Sequence, residues 1–248
     1  MSSKTVLIII NRHVSSSSVC SKKATVNNLK GKSVSSQHWL TRHLKDPYVE
    51  KAKMMNYRCR SAFKLLEIDD KFSILKPGFV VIDCGAAPGS WTQVAINRVN
   101  ADSNRINKPK GTVIAIDKLQ IYPIEHASIL GNSDFTAAET QQRLKMLLDN
   151  SLIDVVLSDM APQASGIKVM DQENIINLCY SAFRFAVQMS TVNSTLLVKL
   201  WQGTGAPELE RDLLKFYKTV RIVKPSSSRS DSAEIFLLAR QFKGLKQT

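Results

Sequence analysis

The chain has 248 residues, of which 44% are hydrophobic and 22% charged, so it can form a large globular domain with a buried core. Lys and Arg outnumber Asp and Glu by 34 to 21, which gives a formal net charge of +13. Because a basic excess of this size attracts polyanions, we expect a nucleic acid or an anionic membrane surface as partner. Apolar runs are too short to cross a bilayer, so insertion into a membrane is not expected.

The basic excess lies mainly in the first third of the chain. Residues 1–76 contain fifteen Lys and Arg but five Asp and Glu, and residues 1–45 contain eight basic residues and no acidic one. Together with the serine run Ser15–Ser18, this composition is typical of a mitochondrial transit peptide. We therefore predict that residues 1–37 are a targeting segment and that the protein is located in the mitochondrial matrix. A disordered basic tail that binds RNA is the alternative.

The four cysteines are widely separated in the sequence. Cys20, Cys59, Cys84 and Cys179 form no C-x-x-C motif and have no paired histidines, which argues against a zinc site and a disulfide framework. We expect free thiols in a reducing compartment, with Cys84 and Cys179 as small core residues, and no bound metal.

Two helices are predicted before a turn at Lys76–Gly78, and strands then alternate with helices. The predicted helices cover residues 48–55, 57–71, 91–99, 136–148, 173–189 and 207–217. The predicted strands cover residues 79–84, 111–117, 127–130, 153–159, 195–201, 219–223 and 234–239.

Apolar strands that alternate with helices predict βαβ units and a mostly parallel sheet of seven strands with helices on both faces. No helix separates the last two strands, so the final strand should pair antiparallel with a neighbour. We expect an α/β domain over residues 77–242 and a helical, RNA-contacting extension over residues 38–76.

The first predicted strand ends in the small-residue stretch DCGAAPGSW, residues 83–91. Ligands of open α/β sheets bind at the carboxyl ends of strands, and Gly85 would let a ligand approach the backbone. The fingerprint G-x-G-x-x-G is absent, which disfavours a nicotinamide oxidoreductase. Asp117, at the end of the second strand, can accept both hydroxyls of a ribose, and Asp134 can bind the amine edge of adenine. A tight turn without a ligand is the alternative.

Five ordered stretches carry a resemblance to a known family. They are WLTRHLKDPYVEKAKMMNYRCRSAFKLLEID, DCGAAPGSW, LSDMAPQASG, LLVKLWQG and KPSSSRSDSAEIFLLA. Over residues 38–242 the chain resembles the FtsJ/RrmJ-type RNA ribose 2′-O-methyltransferases. The resemblance implies a Rossmann-like class I methyltransferase fold, S-adenosylmethionine as cofactor and an RNA ribose as acceptor. The cofactor positions of the family fall on Gly89, Trp91, Asp117, Asp134 and Asp159.

Four further matches resemble the Lys-Asp-Lys-Glu constellation of that family, at Lys64, Asp159, Lys199 and Glu234. By this analogy Lys199 is the base. It lies in the apolar stretch STLLVKLW, where burial of an ammonium is costly unless a partner compensates for it.

The residues themselves also favour a ribose acceptor. The sequence after the fourth strand, DMAP at residues 159–162, lacks the second proline and the aromatic ring of enzymes that methylate base amines. Methylation at a pyrimidine carbon needs a cysteine nucleophile, whereas Cys179 falls inside a predicted helix. A ribose hydroxyl needs a base and an in-line arrangement of the reacting atoms.

A basic stripe leads to Lys64 and suits contacts with RNA phosphates; it consists of Lys51, Lys53, Arg58 and Arg60. The loop 224–231 could add similar contacts.

The segment WLTRHLKDPYV resembles the ribosomal branch of the family, so the expected target is a uridine ribose in the peptidyl-transferase region of mitochondrial large-subunit rRNA, either free or in a pre-ribosomal particle. Methylation of the tRNA anticodon loop and a non-catalytic role in ribosome assembly are the alternatives. A monomer is assumed.

Overall fold

The computed structural model describes residues 46–203 and 205–245, together with Ser33, Gln37 and Thr41. The chain divides into two units, residues 1–46 and 47–248. In the first unit, the amide of Gln37 donates to the carbonyl of Ser33 over 3.0 Å, as in a helical turn. The predicted targeting segment, including Cys20, lies outside the described residues except at Ser33 and Gln37.

The second unit begins with two helices, α1 (Pro47–Met54) and α2 (Ala62–Phe72). Helix α2 buries one face, including Ala62, Leu65 and Ile68, because these residues recur at helical spacing. That face packs in a common core with strand and helix residues that follow in the chain. Helix α2 therefore shares its core with the sheet.

A seven-stranded sheet forms the centre of this unit, in the order β3-β2-β1-β4-β5-β7-β6. The strands are β1 (Val80–Cys84), β2 (Thr112–Ile116), β3 (Ser128–Leu130), β4 (Ile153–Ser158), β5 (Ser190–Trp201), β6 (Tyr217–Val223) and β7 (Glu234–Phe242). Neighbours from β3 to β5 pair in parallel, and β7 pairs antiparallel with both β5 and β6. This confirms the predicted mostly parallel sheet with one antiparallel strand.

Four more helices connect the strands: α3 (Ser90–Val99), α4 (Ala138–Leu148), α5 (Lys168–Met189) and α6 (Ala206–Phe216). Alternate residues of β1 pack into two separate hydrophobic cores, one on each face of the sheet. Val81 packs with α2 and α3, whereas Ile82 packs with α4, α5 and α6. Helices therefore cover both faces of the sheet, as predicted. The expected core thiols are also confirmed, because Cys84 and Cys179 are buried and unpaired.

The largest differences from the predicted elements lie at polar ends. Helix α5 begins five residues earlier than predicted, at Lys168, β5 begins at Ser190 instead of Thr195, and α2 begins at Ala62 instead of Tyr57. Residues 190–193 are polar or exposed, and a register shift separates the pairing of Ser190 from that of Thr195. Sequence patterns detect buried faces, so they miss segments of this kind.

Candidate active site

The site lies where the order of the strands reverses at the centre of the sheet. Strand β1 is followed by α3 on one face and β4 by α5 on the other, which opens a crevice at their carboxyl ends. A cavity of about 920 Å³ occupies this place, within the range of roughly 300–1,000 Å³ typical of small-molecule sites. The cavity wall includes five of the predicted site residues, namely Gly85, Asp117, Asp134, Asp159 and Lys199.

The loop after β1 forms one wall of the cavity. Gly85 has a φ of +77°, and a Cβ at this position would lie 2.7 Å from the backbone nitrogen of Met160. Its amide donates to the carbonyl of Ile116 over 2.9 Å. The small residue is thus required by contacts with the loop after β4, before any ligand is considered.

Two carboxylates after β2 and β3 continue the wall beside this loop. Asp117 accepts hydrogen bonds from the backbone amides of Ala87 at 2.9 Å and Leu119 at 2.7 Å. Asp134 accepts from the amide and hydroxyl of Thr136 and forms an ion pair with Lys118 at 3.0 Å. Burial alone would raise the pKa of Asp134, but the bonds from Thr136 and the Lys118 ammonium outweigh it and hold this pKa below its ordinary value. Asp134 is therefore ionised at neutral pH.

The remaining two predicted cofactor residues lie outside the cavity lining. The Trp91 side chain is 2% exposed, packs against Phe236 with ring centroids 5.7 Å apart, and donates from Nε1 to the carbonyl of Ser61 over 2.8 Å. Gly89 precedes the first residue of α3 and lies beside Arg58 and Ile124. The Trp91 side chain is thus a core element of the protein, and any contact with a ligand would involve its backbone amide.

The structure brings the four residues of the Lys-Asp-Lys-Glu constellation together as two ion pairs. Lys199 on β5 lies 3.0 Å from Oδ1 of Asp159 and also donates to the backbone carbonyl of Asp159. Lys64 on α2 lies 2.6 Å from Oε1 and 2.7 Å from Oε2 of Glu234, the first residue of β7. Four separate elements contribute, which explains why each residue alone carries a weak sequence signal.

The two ion pairs influence each other electrostatically. Burial alone would raise the pKa of Glu234, yet the ammonium of Lys64, the charge of Lys199 and a hydrogen bond from Ser228 together lower it below its ordinary value. Ser228 Oγ lies 3.0 Å from Oε1 of Glu234. Glu234 therefore carries its charge at neutral pH, and the positive and negative charges in the cluster balance.

Sequence reasoning assigned no catalytic or binding role to Asp83, the next-to-last residue of β1. It is fully buried and accepts a 2.7 Å hydrogen bond from the hydroxyl of Thr92. Burial, and to a lesser extent the charges of Asp159 and Asp117, raise the pKa of Asp83 to about 7. Among the described residues, its Oδ1 atom has no hydrogen-bond partner. Asp83 is thus protonated over much of the acidic pH range.

We expect the Asp83→Asn variant to remove a pH-dependent cost to stability. Between about pH 4 and 7 the folded protein keeps the Asp83 proton and the unfolded chain loses it, so this group lowers the free energy of unfolding by about 1.4 kcal/mol for each unit of rising pH. Asn cannot ionise and can still accept the bond from Thr92. Urea unfolding at several pH values should show that the free energy of unfolding of the variant increases relative to that of the wild type as pH rises. The exposed Asp149→Asn variant is the control, and a pH-independent difference for Asp83→Asn would contradict the assignment.

Helix α5 adds polar groups that sequence reasoning also missed. Asn174, Asn177 and Ser181 line the cavity, spaced by three and four residues along one helical face. The predicted helix contained these three residues. Their polar character at helical spacing was the sequence feature that could have identified them as cavity residues. Nowhere in the described part of the chain is a group of three His, Cys, Asp or Glu side chains placed to hold a metal ion. The described helices include none that is long and apolar enough to cross a membrane.

This sheet order, with its reversed last strand and its acidic residues at the carboxyl edge, is that of a Rossmann-like class I methyltransferase. The chain belongs to the FtsJ-like methyltransferase family, whose model matches residues 57–242. The predicted family, fold class and enzyme class are thereby confirmed.

Named relatives and a solved structure agree with this family. Over 222 residues the chain is 57% identical to the mitochondrial rRNA methyltransferase 2 of Drosophila melanogaster, covering 90% of this chain and 89% of that protein. It is 45% identical to the ribosomal RNA large subunit methyltransferase E of Cereibacter sphaeroides, covering 90% of each. A crystal structure from Plasmodium falciparum, described as a ribosomal RNA methyltransferase, superposes with a TM-score of 0.66 at 30% identity, covering 76% of this chain and 100% of that one.

Proposed function

We propose that this enzyme transfers a methyl group from S-adenosylmethionine to a ribose 2′-hydroxyl of large-subunit ribosomal RNA in mitochondria. The observation that carries the proposal is a set of two ion pairs. Lys199–Asp159 lies in the cavity wall, and Lys64–Glu234 lies outside the lining at the same edge of the sheet, where Glu234 pairs with Trp201 at the end of β5. The names of the Drosophila and Cereibacter relatives support the ribosomal substrate. The composition of residues 1–45 and the Drosophila relative support the location.

The cavity fits an adenosine-containing cofactor. Asp117 lies where a carboxylate can accept ribose hydroxyls, and Asp134 lies beyond it on the same wall. Gly85 lets the loop after β1 pack closely against the backbone of Met160, and this contact shapes the wall of the cavity beside the cofactor. We assign these residues to the cofactor, together with the backbone of Gly89 and Trp91 at the start of α3. When bound, S-adenosylmethionine supplies an electrophilic methyl group on a sulfonium.

Lys199 is the residue we assign to the acceptor hydroxyl. It lines the cavity, and its hydrogen bond to the Asp159 carbonyl and its ion pair with the Asp159 carboxylate fix the direction of its Nζ atom. To accept the hydroxyl proton Lys199 must be neutral, so its ammonium first releases a proton to solvent. With the cofactor bound, the O–H bond would break as an N–H bond forms on Lys199. The freed oxygen would bond to the methyl carbon as the carbon–sulfur bond breaks, which would leave the sulfur as a neutral thioether. Lys64 and Glu234 hold the ribose and Lys199 in line.

The proposed target is tested by mapping ribose methylation. Cells depleted of the protein should lose a 2′-O-methyl mark in mitochondrial large-subunit rRNA, and wild-type protein should restore it. An unchanged rRNA map with a lost mark in tRNA would overturn the substrate assignment. The Lys199→Ala variant should fail to restore the rRNA mark, and restoration would overturn the assignment of Lys199 as the base.

A further inference from the structure

The segment that enters helix α2 carries an arginine with an unusual set of partners. Nη1 of Arg58 donates to the carbonyls of Pro88 and Tyr122, both at 2.8 Å, and Nη2 donates to the carbonyl of Pro123 at 2.7 Å. Pro88 belongs to the small-residue loop after β1, whereas Tyr122 and Pro123 belong to the loop between β2 and β3. One guanidinium therefore joins two loops that are distant in sequence.

The backbone of this segment is itself held in place by α3. The Arg58 amide donates to Oε1 of Gln93 over 2.9 Å, and Nε2 of Gln93 donates to the carbonyl of Asn56 over 2.9 Å. These two bonds fix the chain on either side of Tyr57. The guanidinium is thus presented from a fixed backbone, which reduces the entropy lost when its three bonds form.

Both joined loops form the cofactor side of the cavity. The first contributes Gly85 and Ala87, and the second contributes Asp117, Lys118 and Leu119. A direct bond from the Ala87 amide to Asp117 links the same loops from the inside. Arg58 links them from the outside, next to Gly89, where an added Cβ would lie 3.1 Å from Nη1.

These contacts change the interpretation of the predicted basic stripe. Three N–H groups of Arg58 are already directed at carbonyl oxygens, and Arg60 donates to the carbonyl of Ser227 in the loop before Glu234. The three bonds of Arg58 use the greater part of its five N–H groups and fix the guanidinium against the two loops of the cavity. We propose that Arg58 is a positioning residue for the cofactor, which sets the spacing of the two loops.

The inference rests on the proposed use of S-adenosylmethionine, and the Arg58→Lys variant tests it. Lysine keeps the positive charge, but its compact ammonium cannot span three carbonyls as a planar guanidinium does. We expect the dissociation constant for S-adenosylhomocysteine to rise about tenfold to a hundredfold. The KM for S-adenosylmethionine should rise in parallel, whereas kcat at saturating cofactor and the affinity for RNA should change much less.

Titration calorimetry on the full chain, with S-adenosylhomocysteine as the probe, provides the measurement. The control is Arg98→Lys, which alters an arginine paired with Asp69 and Asp70 and should leave cofactor affinity unchanged. The Gln93→Ala variant releases the backbone anchor and should weaken cofactor binding in the same direction if Arg58→Lys fails to fold. Unchanged cofactor affinity with weakened RNA binding in Arg58→Lys would overturn the inference. Absence of binding by the wild type would instead overturn the proposed cofactor.

Discussion

The Lys199→Ala variant is expected to lose methyl transfer by about a thousandfold or more, because it removes the group that accepts the hydroxyl proton. Lys199 is 9% exposed, and its ammonium lies 3.0 Å from the Asp159 carboxylate. The substitution therefore also leaves a partly buried carboxylate without its partner, which should lower stability as well. Cofactor affinity should be kept, since the Asp117 and Gly85 walls are untouched.

Initial rates with labelled S-adenosylmethionine and a calorimetric titration of cofactor would separate these effects. The matched control is Lys215→Ala, which removes another ion-paired lysine, bound to Asp212 at 2.7 Å on helix α6 and outside the cavity lining. That variant should retain normal rates. Turnover by Lys199→Ala within about tenfold of the wild type would be less than the loss expected of a general base and would rule out the assignment of Lys199.

The Gly85→Ala variant is expected to lose both stability and cofactor affinity. The added Cβ would meet the Met160 nitrogen at 2.7 Å and its Cα at 2.8 Å, and both are backbone atoms that cannot move aside as a side chain would. The positive φ adds a strain of roughly 1–2 kcal/mol for an L-residue. Because the loops after β1 and β4 must separate, the cavity wall should distort, and cofactor binding should weaken at least about tenfold.

Gly166→Ala isolates the effect of backbone conformation from the effect of close approach. Gly166 has a φ of +81°, similar to that of Gly85, but nothing lies within 4 Å of an added Cβ. Its substitution should cost only the strain of the left-handed backbone, roughly 1–2 kcal/mol. Thermal unfolding of both variants, with and without S-adenosylhomocysteine, gives the comparison. Equal losses in the two variants would show that contact with Met160 is unimportant.

The architecture and much of the active site were predictable from sequence because both follow from local patterns. Apolar strands separated by helices predicted the parallel sheet, and the missing helix before β7 predicted its reversed direction. Residues that end parallel strands must meet at one edge, which placed Asp117 and Asp159 together in advance. The pairing of Lys64 with Glu234, 170 residues apart, came from family resemblance and not from any pattern in the chain.

Other features depend on three-dimensional contacts that sequence patterns do not encode. Trp91 follows the small-residue loop in sequence, but its ring turns into the core because Phe236 and the Ser61 carbonyl lie there. Arg58 looked like a surface charge suited to phosphate, since nothing in the sequence indicates that three carbonyls converge on it. The raised pKa of Asp83 likewise results from complete burial near two other carboxylates.

The balance of charges among Lys64, Glu234, Lys199 and Asp159 has a consequence for the effect of ionic strength. Two ammonium groups paired with two carboxylates exert little net long-range attraction on a polyanion, and short, partly buried ion pairs are poorly screened by salt. The +13 charge of the chain must therefore attract RNA through other residues. Added salt should therefore weaken the binding of RNA. It should change the rate of methyl transfer within the bound complex much less, because the ion pairs there are partly buried.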